Sequence, residues 1–163
     1  MTMKQLTEIA GRIGARLEAR GETVAVAESA AGGLISAALL SVPGASAYYL
    51  GGGVIYTHAA RRGLLGLAGD QVTIEGASEE FAALSARVVR ERCGASWGIG
   101  ESGAAGPTGS RYGHAAGHVA LAVAGPVERS AVIETGSADR VANMWAFAAE
   151  ALKLLDAALG EAG

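Results

Sequence analysis

Leu6, Ile9, Ile13 and Leu17 recur at spacings of three and four residues, while Lys4, Glu8, Arg12, Arg16 and Glu18 occupy the intervening positions. This periodicity predicts an amphipathic helix that Gly21 ends. The run Thr23-Val24-Ala25-Val26-Ala27 then reads as a short strand, and Glu28-Ser29-Ala30-Ala31-Gly32-Gly33 turns the chain into an apolar helix reaching about Leu40. Pro43-Gly44 breaks that helix. Tyr48 to Tyr56 predicts a second strand, with a bend or bulge at Gly51-Gly52-Gly53.

The best signposted element begins at Ser78. This serine is an N-cap with Glu79 and Glu80 behind it, and the helix runs past Leu84 and Val88 to Arg90 and Arg92, stopping at Gly94. Ser96 to Ile99 predicts a strand, followed by a glycine-rich loop from Gly103 to Gly117. Val119 to Val123 and Ala131 to Ile133 pair as a hairpin across Gly125-Pro126. From Ala138 the spacing of Val141, Trp145, Ala148, Leu152, Leu155 and Leu159 predicts a last helix. A strand–helix crossover and a hairpin in one chain predict a three-layer α/β/α domain on a mixed sheet, spanning residues 1–163 as a single domain.

Composition sharpens this picture. Only 5% of the 163 residues are aromatic while half are hydrophobic, so the core is built from small and aliphatic side chains packed closely. The net charge of −3 and the presence of only two lysines, Lys4 and Lys153, leave no basic block for a nucleic-acid backbone. A single cysteine, Cys93, forms no internal disulfide framework and fits a cytoplasmic setting. The charged first twenty residues do not resemble a signal peptide, and no apolar run reaches the ~18 residues of a membrane span. His114 and His118 are four apart, but Gly113 and Gly117 beside them argue against the helix that would make them a metal pair.

Candidate chemistry gathers at two Glu-Ser pairs. Glu28-Ser29 and Glu101-Ser102 each follow a strand and open a glycine-rich stretch, which suggests one crevice beyond the carboxyl ends of strands. Ser29 can cap the following helix, and the small residues after it leave N–H groups on which an anion can dock. Ser46 stands in the tight loop after Pro43-Gly44, and Tyr56, His58, Arg61 and Arg62 cluster within seven residues.

Five stretches, in order, resemble the carboxy-terminal domain of the competence/damage-inducible CinA family. Ala27 to Ile35 resembles its A-E-S-C/A-T-G-G-L-I, Pro43 to Gly52 its P-G-S-S-A-Y-F-x-G-G, and Tyr56 to Gly66 its Y-S-N-E-A-K-x-x-L-L-G. Gly76 to Glu80 resembles G-A-V-S-E-E with one residue fewer, and Ser102 to Pro107 resembles T-G-I-A-G-P. The resemblance implies a self-associated α/β/α domain, a homodimer or larger homo-oligomer. It also implies cofactor-free, metal-independent hydrolysis of the carboxamide of nicotinamide mononucleotide to nicotinate mononucleotide and ammonia.

Carried over by position, the resemblance implies Ser46 as nucleophile and Tyr56 as its assistant. It places Ser29, Gly32 and Gly33 at the substrate near its phosphate, with Ser102, Gly103, Gly106 and the late Arg140 also holding the nucleotide. The sequence departs from the family where chemistry is most exacting. Arg61 stands where the family has its activating lysine, and His58 and Ala59 replace the family's Asn and Glu. A lysine can lose its proton when desolvated, whereas a guanidinium with a pKa above ~12 cannot. Two substitutes for the base are His58 and a Tyr56 phenolate beside Arg61. The alternative is a catalytically inactive nucleotide-binding or protein-interaction module. A straight strand from Tyr48 to Tyr56 would span ~26 Å and separate Ser46 from Tyr56. Either the triple glycine folds the strand back or a second subunit supplies one partner.

Overall fold

A computed structural model describes residues 1–163, and its elements follow in chain order. They are α1 (Met3–Arg20), β1 (Val24–Glu28), α2 (Leu34–Leu40), β2 (Tyr49–Val54), α3 (His58–Gly63), α4 (Glu79–Cys93), β3 (Trp97–Ala104), β4 (His118–Ala124), β5 (Arg129–Glu134) and α5 (Arg140–Ala162). The five strands form one mixed sheet in the order β2-β1-β3-β4-β5. β1 runs parallel to both β2 and β3, whereas β4 and β5 add on as an antiparallel hairpin. This is the three-layer α/β/α arrangement that the alternation of elements predicts.

The two faces of the sheet are built differently. Trp97 and Ile99 of β3 and Val119, Leu121 and Val123 of β4 point to the face covered by α1, α2 and α5, where they join Leu6, Ile13, Leu17, Phe147, Leu152 and Leu155 in the main core. The residues between them, Gly98 and Gly100 on β3 and Ala120, Ala122 and Ala124 on β4, face α4. A side chain on Gly100 would strike the carbonyl of Ala82, and one on Gly98 that of Ala86. The glycines therefore let α4 lie directly on the strand, which brings the turn before α4 to the end of β3.

Helix ends follow their signals. Thr2 forms a capping box with Gln5 on α1, Ser78 caps α4 through Phe81 N–H, and Gly21 and Gly94 close the two helices in the left-handed conformation at φ of 63° and 65°. α2 departs from expectation. Its N-cap is Gly33 rather than Ser29, and the capping group is the buried Glu28 carboxylate. That carboxylate accepts from the N–H groups of Gly33, Ile35 and Ser36 and from the Ser36 hydroxyl at 2.7–3.1 Å. The N–H groups expected to hold an anion at this turn are already filled by the protein's own carboxylate.

The triple glycine does not bend β2 back. Gly51, Gly52 and Gly53 pair in regular register with Ala25, Val26 and Ala27, and the irregularity falls earlier, between Val24 and Ala25. Gly52 has a steric reason: a side chain there would lie 2.6 Å from the carbonyl of Val26 and 2.8 Å from the Tyr49 hydroxyl. β3 also extends beyond the predicted Ile99 to Ala104, so Glu101, Ser102 and Gly103 belong to the strand.

Candidate active-site cleft

The cleft lies beyond the carboxyl ends of β1, β2 and β3, where the chain leaves the parallel part of the sheet. Its main cavity, of about 420 Å³, is lined among others by Ser29 after β1, Tyr56 after β2, Arg61 from α3, Ser102 and Gly103 of β3, and the segment Ser110 to Tyr112. An adjoining recess of about 190 Å³ shares Tyr56, Gly103 and Ser110 and ends at Gly106 and Arg140. Open α/β sheets bind ligands at this position because neighbouring connections diverge there.

Two buried carboxylates hold the floor rather than entering the cavity. Glu28 braces α2 as described. Glu101 accepts from the N–H groups of Ser29 at 2.8 Å and Ala31 at 3.0 Å through Oε2, while its Oε1 has no partner. Burial pushes the Glu101 carboxyl up to about 7, with the nearby Glu28 charge adding to it and the backbone N–H groups of Ala31, Ser29 and Ala30 opposing. Together the two carboxylates fix the path from Ser29 to Ser36. The repeated Glu-Ser motif is thus a pair of braces, and the Ser29 hydroxyl is left without a hydrogen bond inside the cavity.

Arg61 is buried, with only 6% of its surface exposed. Its Nη1 donates to the carbonyls of Val72 at 2.8 Å and Ile74 at 2.7 Å, and the guanidinium lies 3.7 Å from the centre of the Phe81 ring. Burial pushes its pKa down, Tyr112 pulls it up and Arg111 pushes it down again, yet a guanidinium so placed keeps its proton. Nη2 reaches the cavity wall at Gly76, 3.2 Å from where a side chain on that glycine would begin. No lysine lines the cavity.

His58 is set against Arg111, whose Nη2 donates to His58 Nε2 at 3.2 Å and to the Tyr112 hydroxyl at 2.9 Å. Desolvation, then the charges of Arg61, Arg111 and Arg62, hold the His58 pKa below its ordinary value, so the ring is neutral near pH 7. Burial pushes the Tyr112 phenol up, but the Arg111 hydrogen bond, the Gly76 N–H and the Arg111 and Arg61 charges bring it below the usual tyrosine range. Tyr56 points its hydroxyl at Arg140 Nη2 at 3.2 Å, and Arg140 Nη1 donates to the Gly106 carbonyl at 2.6 Å.

Of the residues singled out from sequence, the cleft brings together Ser29, Tyr56, His58, Arg61, Ser102 and Gly103, with Gly106 and Arg140 in the adjoining recess. Three are not there. Ser46 sits exposed in a short 3-10 turn (Ala45–Ala47) before β2, whereas Tyr56 follows its other end. The straight strand between them places Ser46 and Tyr56 at opposite ends of β2 within one chain. Gly32 turns toward Met144 of α5, and Gly33 spends its N–H on Glu28. Ser29 lines the main cavity, and its neighbour Ala30 lines the adjoining recess that ends at Arg140.

Sequence reasoning missed Arg111 and Tyr112, which sit in a glycine-rich loop with no periodicity to mark them. It also missed what anchors their loop. His118 stacks on His114 with ring centres 3.9 Å apart, and its two ring nitrogens meet the Glu134 carboxylate at 2.6 Å and the Ala77 carbonyl at 2.9 Å. His114 in turn reaches Glu75 at 2.8 Å. The histidines therefore tie the 75–77 turn and the 110–114 segment to the hairpin, and no group of three metal-binding side chains is present.

The geometry defines a class: a three-layer α/β/α domain with a cationic, carboxylate-free cleft at the ends of its parallel strands. Residues 6–159 match the family model of the CinA C-terminal domain, and the chain belongs to that family. A CinA-like protein of Anaeromyxobacter sp. (strain K) is 45% identical over 148 residues, covering 89% of this chain and 36% of that protein. Another, from Prochlorococcus marinus (strain MIT 9313), is 46% identical over 111 residues, covering 68% of this chain and 26% of its own length. The chain therefore matches between about a quarter and a little over a third of the length of these relatives. Among solved structures, a CinA superfamily protein of Klebsiella pneumoniae 700603 superposes with a TM-score of 0.88 at 27% identity, covering 96% and 98% of the two chains. The competence/damage inducible protein CihA of Agrobacterium tumefaciens gives 0.87 at 32% identity, covering 95% of each.

Proposed function

We propose that the cleft binds a pyridine mononucleotide and that the chain hydrolyses its carboxamide, converting nicotinamide mononucleotide to nicotinate mononucleotide and ammonia. The observation that carries this reading is the Ser29 hydroxyl, unpartnered within the chain, in a cavity lined by two arginines and no carboxylate, with a third arginine, Arg140, in the adjoining recess. Ser29 takes the nucleophile's place that the family resemblance assigns to Ser46. Arg140 and the Gly103 to Gly106 segment receive the phosphate.

In this reaction Ser29 Oγ attacks the carboxamide carbon, and its proton passes to the Nε2 lone pair of His58 as Arg111 Nη2 leaves that nitrogen for the developing oxyanion; the surrounding arginines keep the ring neutral beforehand. Arg61 and Arg111 place positive charge where the tetrahedral oxyanion develops. The proton returns to the departing ammonia, and water then releases the acid from Ser29. No metal or organic cofactor takes part, and the domain works in the cytoplasm as a homo-oligomer. No helix is long and apolar enough to cross a membrane.

A second reading, a binding module without turnover, is favoured by Arg61, which occupies the activating lysine's place and spends Nη1 on two carbonyls. Ammonia release from nicotinamide mononucleotide by the purified chain separates the two. Turnover is expected, falling roughly a thousandfold in Ser29→Ala and unchanged in Ser46→Ala. Full activity in Ser29→Ala overturns the assignment of the nucleophile, and binding without ammonia from the unmodified chain selects the second reading.

A further inference from the structure

Arg61 Nη2, the Tyr112 ring and the Ser102 hydroxyl converge on one spot of the cavity wall. A side chain begun on Gly76 would meet them at 3.2, 3.5 and 3.7 Å respectively. Arg111 stands over the Tyr112 ring with Nη1 and Nε uncommitted, since only its Nη2 bonds within the chain. Neither arginine belongs to any of the chain's ion pairs, although acidic residues outnumber basic ones overall, 16 to 13.

The hydrogen-bonding sense of this corner is one-sided. Arg61 and Arg111 only donate. The Ser102 oxygen accepts from Ala77 N–H at 3.1 Å and the Tyr112 oxygen from Arg111 and Gly76 N–H, so both hydroxyls still have a proton to donate and only Ser102 keeps a spare lone pair. A carboxylate supplies acceptors on both oxygens and meets guanidinium groups in charge-assisted, two-pronged pairs. A carboxamide presents an NH₂ group that finds one spare acceptor, on Ser102, among donors, and it carries no charge to offset the two guanidinium groups.

We infer that the corner formed by Arg61, Arg111, Tyr112 and Ser102 is a carboxylate subsite, so that this chain holds a pyridine mononucleotide bearing a ring carboxylate more tightly than the corresponding carboxamide. The inference rests on the proposal that the cleft takes a pyridine mononucleotide, and it adds a preference that the reaction itself does not require. The acid is then a tightly held product that restrains turnover as it accumulates. A chain without turnover would act as a receptor for the acid.

Calorimetry on the Ser29→Ala chain, which prevents conversion during titration, tests this with nicotinate mononucleotide and nicotinamide mononucleotide. The acid is expected to bind at least about tenfold tighter, equivalent to ~1.4 kcal/mol. In the double variant with Arg111→Gln, an exposed position where folding is not at stake, the ratio is expected to fall to about one. Equal affinities, or a tighter amide, overturn the carboxylate subsite and leave the nucleotide-binding reading standing. An undiminished ratio in the Arg111→Gln chain removes Arg111 from it. Binding of neither nucleotide overturns both proposals.

Discussion

Arg61 lies flat against Phe81, its guanidinium carbon 3.7 Å from the ring centre, while Nη1 fastens the carbonyls of Val72 and Ile74. The Arg61 side chain is therefore part of the scaffold beneath the 75–77 turn as well as a wall of the cleft. Replacing it with lysine removes the fork geometry that spans two carbonyls and weakens the ring contact. Arg61→Lys is expected to lose ~1–3 kcal/mol of stability, read by chemical denaturation. A variant as stable as the parent would mean that the guanidinium does not brace this turn.

Glu101 makes stability depend on pH. Its carboxyl titrates near 7 in the folded chain against an ordinary value of 4.5. The folded state therefore holds a proton that the unfolded state has lost between those values. Stability contributed by the protonated group is fully present below about pH 4.5 and is lost as pH rises through about 7. Glu101→Gln keeps an acceptor for Ser29 and Ala31 N–H and carries no charge. Its advantage over the parent should be absent in acid and grow to on the order of 3 kcal/mol above pH 8. Denaturation midpoints of both chains across that range check it, and a difference that does not vary with pH would refute the assignment.

Glu28 is a different kind of buried carboxylate, with four donors gathered on its two oxygens. Glu28→Ala strands the N–H groups of Gly33, Ile35 and Ser36 and is expected to cost ~3–5 kcal/mol. Glu28→Gln, retaining one oxygen, should lose less than half of that. Equal losses in the two variants would mean that the interaction is packing rather than capping.

Gly100 tests the contact between α4 and the sheet. A methyl group there runs into the Ala82 carbonyl, backbone that cannot swing aside. Gly100→Ala is expected to destabilise by ~3 kcal/mol or more, whereas Gly51→Ala, where no atom lies within 4 Å, should be near neutral. Thermal unfolding of the pair distinguishes close packing from a general intolerance of alanine in strands.

Periodicity, caps and breakers determined the element order, and with it the layered α/β/α architecture. These signals are local: Leu6 to Leu17 mark a helix face, and Ser78 and Gly94 mark helix ends, whatever the rest of the chain does. The ordered motifs likewise identified the family and most of the cleft, because strand ends followed by small residues are where a parallel sheet opens. Which hydroxyl enters the cavity was decided only by tertiary structure. Ser29 and Ser46 both look like loop serines in sequence, but Ser29 follows the carboxyl end of β1 at the cleft, whereas Ser46 precedes the amino end of the straight β2, which runs parallel to β1. The same holds for Glu28 and Glu101, read as neighbours of an anion site and found to occupy the N–H groups themselves. Arg111 and Tyr112 enter the wall because stacked histidines and a buried turn hold their loop. Contacts between residues distant along the chain depend on how the layers close, and no spacing along the chain encodes them.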